Sequence, residues 1–94
     1  MTIREWVQSR TPPVPEAFGA YLVAEEAPSA NGFLAAARTA LEQSMSGEAR
    51  DRSRAFALLA ADAYLTYGCA VVLERGGGAA DLEELAQGLI EGFT

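Results

Sequence analysis

The chain contains no histidine and no lysine, and it has one cysteine. The missing histidine removes the side chain that most often acts as a general base near neutral pH and most often ligates transition metals. A lone cysteine, Cys69, cannot close an internal disulfide, which fits a reducing compartment, and we expect the cytoplasm. The bases are seven arginines against 13 acids, a net charge of −6. That balance argues against nucleic-acid binding, which is driven by neutralising phosphates. The opening MTIREWVQSRTPP has no apolar core of the signal-peptide kind. No internal repeat is visible.

What the chain has in quantity is apolar surface: half of its residues are hydrophobic and 21% are charged, a globular balance. Its 94 residues suit one domain spanning 1–94. The organising stretch is Arg54 to Glu74, in which Asp62 is the only charge between the two ends. At about 100° per residue, Phe56, Tyr64, Tyr67 and Val71 fall on one side. Leu58, Leu65, Cys69, Val72 and Leu73 fall opposite, and strips of alanine and Gly68 lie between. A helix apolar nearly all round is a buried one. The expectation is a long central helix, about 48–75, with partners on at least two sides. A membrane span is the competing reading. Asp62 near the middle and arginines at both ends weigh against it, since a mid-span carboxylate is costly.

The flanking segments read as shorter helices. Thr2 and Glu5 form a capping box, T-x-x-E, ahead of a short helix from Ile3 to about Ser9. Two turns cannot hold themselves in water, so Trp6 must dock on its own chain or on a partner. Residues 1–14 are therefore a short helix plus a proline-rich connector, Thr11 to Val14 and on to Pro15. The run P-P-V-P lacks the basic flank expected of an adaptor ligand. Pro15 suits the start of a second helix, with Phe18, Tyr21, Leu22 and Glu25 on one face and Pro28 as its end. Ser29 or Asn31 caps a third, to about Met45, with Leu34, Ala37, Leu41 and Met45 as its core face and Arg38 and Glu42 as a surface pair. Ser46-Gly47 separates it from the central helix. The glycines 76–78 end that helix, and Asp81, with Glu84 in D-x-x-E, caps a fifth carrying Leu82, Leu85, Ala86, Leu89, Ile90 and Phe93. The fold class is all-α, a small helical bundle of four to five helices around the long central one.

Chemistry-bearing constellations are few. Glu25-Glu26 and Glu83-Glu84 lack the histidine that a helical di-metal carboxylate site uses, and adjacent acids on a helix diverge. The glycines 76–78 are not a phosphate-binding loop, because no lysine follows. Cys69 has no histidine to activate it. The run Phe56 to Leu65, FALLAADAYL, resembles a core helix of the all-helical trans-isoprenyl diphosphate synthases. That family's aspartate-rich metal motifs, DDxxD in form, are absent, so the resemblance implies a helical packing element and no activity. We expect no catalytic residue, no metal and no cofactor.

Two functional readings remain. The first is a non-catalytic protein–protein interaction or oligomeric structural module, a homodimer or a subunit bound to a protein partner, with Trp6 as a candidate interaction residue. It expects no nucleic acid and no membrane. The alternative is a binder of a small apolar ligand, with a pocket lined by Phe56, Tyr64 and Tyr67 and oriented by Asp62. A carboxylate in mid-helix belongs to such a cleft, or is held by an arginine or tyrosine of another helix, or lies at the edge of the buried face.

Overall fold

The computed structural model describes residues 1–10, 14–46 and 52–91, and of Ala17 and Phe18 the backbone alone. The proline connector at 11–13, the expected break at Gly47, residues 48–51 expected to open the central helix, and Phe93 lie outside the described residues. Among the described residues there are five helices and no strand: α1 Ile3–Gln8, α2 Glu16–Gly19, α3 Ala30–Met45, α4 Arg52–Glu74 and α5 Ala79–Glu91. The protein is all-α, with four helices packed around the long α4.

Local chemistry sets most of the helix ends. Thr2 closes the capping box on α1, its hydroxyl accepting from the Glu5 amide while the Glu5 carboxylate accepts from the Thr2 amide. Ser29 caps α3 by accepting from the Gly32 amide. At the end of α4, Gly76 takes φ +80. The amide of Gly77 donates to Val72 and that of Gly76 to Leu73, the paired bonds of a Schellman motif. Helix α5 starts two residues before the expected cap. Gly78 accepts the first bonds, and Asp81, inside the first turn, receives a hydrogen bond from the Gly78 amide.

The second helix is where the sequence pattern and the structure part. Instead of running to Pro28, α2 is one turn long. The next residues, 22 to 26, serve other elements. Ile3 donates its amide to the Glu26 carbonyl at 2.8 Å and Arg4 donates to Ala24 at 3.0 Å. The Tyr64 hydroxyl donates to the Tyr21 carbonyl at 3.2 Å and accepts from the Ala24 amide at 3.3 Å. A helix through this segment would spend the Tyr21 carbonyl and the Ala24 amide internally and so take both backbone partners from the Tyr64 hydroxyl. Leu22, 1% exposed, is sunk into the core by this course.

Helices α3 and α4 meet through small residues. Phe33, Ala36, Ala37 and Ala40 are buried on α3, and Ala57, Ala60, Ala61 and Gly68 on α4. The core face of α3 is thus turned relative to the expected one: Leu34 and Leu41 flank it and Met45 is exposed. The reason is bulk. Alanines let two helix backbones come close where leucines would hold them apart. Arg38 leaves its expected partner Glu42 and donates instead to the Gly88 carbonyl of α5. Helix α5 buries Leu85, while Ala86 and Ile90 stay exposed.

The molecule measures 40 × 34 × 19 Å, and the short dimension is less than two full helix diameters. Among the described residues no element covers Leu58 and Leu73 of α4, which are 54% and 56% exposed. Of the second side expected for α4, Val72 is buried at 8% exposure, whereas Leu58 and Leu73 are not.

Gly32 offers a test of the α3 entry. A Cβ there would lie 1.9 Å from the Ala27 carbonyl oxygen, whereas one on Gly19 meets nothing within 4 Å. Gly32→Ala should lower stability by about 1–3 kcal/mol through the forced backbone shift, although alanine is the better helix former by about 1 kcal/mol. Gly19→Ala should be neutral or stabilising by up to about 1 kcal/mol. Urea melts of the two variants check the contrast.

Candidate functional site

The four residues expected to line a ligand pocket are distributed over three separate environments. Tyr67 belongs to an aromatic cluster with Trp6 and Phe33. The Trp6 ring meets Phe33 edge-on at 5.2 Å and Tyr67 at 5.1 Å. Arg10 caps the other side, its guanidinium 3.7 Å from the indole centroid, a cation–π contact. Trp6 is 8% exposed, so the arm docks on its own chain and its ring is not presented to a partner.

Tyr64 is 4% exposed and ties α4 to the 21–24 segment through its hydroxyl. Burial pushes its phenol above the ordinary value of 10.0. The hydrogen bond from the Ala24 amide opposes this rise, and the negative charge of Glu26 adds to it. Phe56 is half-buried and stacks on Tyr21, centroids 4.7 Å apart and planes 7° from parallel.

Asp62 is exposed. Its place is the outer side of α4, away from Tyr64, so the desolvation cost that a buried carboxylate would bring does not arise. Thr66 donates its hydroxyl to the backbone carbonyl of Asp62 at 2.9 Å and not to the carboxylate.

Two grooves stand out among the described residues. The smaller, about 310 Å³, runs beside Tyr64 between the 21–26 segment and α3, and it includes neither Asp62, Phe56 nor Tyr67. The larger, about 1260 Å³, lies between α3, the end of α4 and α5. Arg38 and Arg75 line it together with Asp81, Glu83, Glu84 and Glu91. Mixed charge in an open groove favours neither an anion nor an apolar molecule. Among the described residues no three acidic or thiol side chains converge as a metal site would require.

The feature that pattern reasoning undervalued is the outward face of α4 itself. Leu58, Leu59, Asp62, Leu65, Cys69 and Leu73 fall within one arc of the helix. Leu58, Leu59 and Leu73 are each more than half exposed, and Leu65 and Cys69 are partly so. The signal was present as the second apolar group on the helical wheel; it was read as another buried face. This helix is also long and apolar enough to cross a membrane by length and composition. Its inner face, however, is buried against α3, and Tyr64 is hydrogen-bonded there. Comparison with protein-family models, curated proteins and solved structures gives no match.

Two outcomes follow from this geometry. Trp6→Ala empties the centre of the aromatic cluster and should cost about 3–5 kcal/mol, with native Trp6 emission blue-shifted relative to an exposed indole. Tyr64→Phe leaves the Tyr21 carbonyl and the Ala24 amide without their side-chain partner and should cost about 1–3 kcal/mol at neutral pH. The pH dependence carries a definite sign. The folded phenol titrates above 10.0. Below that value both states keep the proton and nothing is lost. Above it the unfolded chain ionises first, so stability falls as pH rises toward the folded pKa. Melts from pH 9 to 11 should show a smaller alkaline loss in Tyr64→Phe than in the parent.

Proposed function

We propose that the chain is a non-catalytic interaction module that works by self-association, as a homodimer, in the cytoplasm. The observation carrying this reading is the uncovered apolar face of α4. Contiguous exposed apolar surface on a soluble chain marks an association site more often than it marks nothing. Trp6, Phe33, Leu22 and Ile3 form the buried core, while Val23, Met45 and Ile90 are exposed at separate points of the surface. Closed two-fold dimers are the commonest way for a single chain to cover such a face. The absence of histidine and lysine supports the non-catalytic part of the reading.

The alternative, a small apolar ligand held near Asp62, Tyr64 and Tyr67, has less support. Those side chains line no common groove, and the Tyr64 hydroxyl is already engaged by the backbone at Tyr21 and Ala24.

Sedimentation equilibrium across the micromolar range tests the reading. A monomer–dimer equilibrium is expected. A single species of 9.9 kDa throughout would overturn it.

A further inference from the structure

We infer that Asn31 is a site of spontaneous deamidation, and that the Ser29 hydroxyl capping α3 sets its rate. This goes beyond the association reading and does not rest on it.

Asn31 is the sole asparagine of the chain, and a glycine follows it. A glycine there leaves the backbone nitrogen unshielded and lets the chain turn freely about it. The reaction balances with water alone. The Gly32 amide gives its proton to hydroxide, and its nitrogen attacks Cγ of Asn31. A bond forms from Cγ to the Gly32 nitrogen. The bond from Cγ to the side-chain nitrogen breaks, and that nitrogen takes a proton from water and leaves as ammonia. Water then opens the succinimide. Cleavage between Cγ and the Gly32 nitrogen gives an ordinary aspartate. Cleavage between the backbone carbonyl carbon of residue 31 and that nitrogen diverts the main chain through Cγ, as isoaspartate.

The structure places the reacting groups where this chemistry is reachable. Asn31 is exposed and lines the large groove beside α5, so water enters and ammonia leaves. Gly32 stands ahead of the helical ladder, whose first bond runs from the Phe33 amide to the Ser29 carbonyl at 2.9 Å. The Gly32 amide is held by a side chain instead, donating to the Ser29 hydroxyl at 3.1 Å. While that bond stands, the proton is engaged, and the helical backbone at Asn31 keeps Cγ off the line of attack. Releasing it needs only the fraying of one turn, far below the free energy of global unfolding. Ser29 is therefore the gate.

The two products differ in fate. An aspartate puts a negative charge in the first turn of α3, beside the positive end of the helix, and the fold is kept. Isoaspartate adds a methylene to the main chain where there is no room. Gly32 lies so close to Ala27 that a Cβ would stand 1.9 Å from its carbonyl oxygen. Ala27 follows directly on Glu26, whose carbonyl holds the Ile3 amide. The isoaspartyl form should loosen the N-terminal arm together with the α3 entry.

The test incubates the full folded chain at neutral and at mildly alkaline pH. Mass spectrometry follows the amide-to-acid change on the peptide containing Asn31, and a protease that cuts at aspartate but not isoaspartate separates the products. Conversion should be faster at the higher pH. Ser29→Ala should speed it about fivefold, the increase in frayed turn expected from losing a cap of ordinary strength. Asn31→Gln should abolish it over the same period. Ala60→Gly serves as the control: Ala60 is buried in the half of α4 whose Arg54 reaches the Ser44 carbonyl, at the far end of α3 from Ser29. It weakens the fold there and should leave the rate unchanged. Trp6 emission of the isoaspartyl fraction should move toward that of an exposed indole. A folded parent that keeps its amide while the urea-unfolded chain converts would overturn the inference, because the closed turn would then block the reaction. Equal acceleration by Ser29→Ala and Ala60→Gly would overturn it as well, by routing the reaction through global unfolding.

Discussion

The structure depends on one close approach, at Gly68. A Cβ at that position would lie 3.1 Å from the Cβ of Phe33 and 3.4 Å from a methyl of Leu85. Three helices meet where a side chain is missing. Because α4 yields there, Phe33 of α3 can sink to zero exposure. Phe33 in turn is one wall against which Trp6 docks, and through Trp6 the N-terminal arm is held. The alanines at 36, 37 and 40 facing 57, 60 and 61 extend the approach along both helices. Dispersion between closely set backbones, summed over many weak contacts, replaces the bulk of a leucine-rich core.

Much of the architecture could be read from the sequence, because the features that carried it are local. Thr2 with Glu5, Ser29, and the glycines after Glu74 are caps whose chemistry needs no knowledge of the fold. The residues that misled are those whose fate is decided at long range. Nothing in the run from Phe18 to Glu25 announces that the Ala24 and Glu26 carbonyls are needed by the amides of Ile3 and Arg4. Periodicity favoured a helix, and tertiary demand for backbone partners overrode it. Met45 looked like core by hydropathy, but a seam built of alanine turns the helix past it and leaves Leu41 packed at the edge of the core. Arg38 was matched to Glu42 by spacing, and it reaches α5 because Gly88 leaves its carbonyl accessible beside Leu34.

The candidate site was harder to read, for a reason specific to α4. A helix buried on every side and a helix buried on one side with a second apolar face have the same composition and nearly the same wheel. Both dilute the periodic signal that separates inside from outside. Asp62 was the clue that distinguishes them, because an unpartnered carboxylate is cheap only where water reaches it. Taken as a buried oddity it suggested a ligand; taken as a marker of solvent it identifies the outer face. The aromatic residues Phe56, Tyr64 and Tyr67 were grouped by sequence proximity, yet Tyr67 is claimed by Trp6 while Phe56 and Tyr64 meet the ring and the carbonyl of Tyr21. In an alanine-rich bundle the few large rings are dispersed to wherever small side chains leave volume.

The exchange of hydrogen bonds between the N-terminal arm and the 22–26 segment has a consequence for motion. Each piece supplies backbone partners that the other lacks, and neither is a stable helix or strand by itself. If α1 lifts away, the carbonyls of Ala24 and Glu26 lose their donors and the arm loses its lining of Phe33 and Tyr67. If the segment loosens, the first amides of α1 are left bare. The two should therefore open as one cooperative unit, below the free energy of global unfolding. The α3–α4 pair remains closed while they do. The protein then has two tiers of stability, a durable helical pair and a removable clasp, with the phenol of Tyr64 as a latch between them.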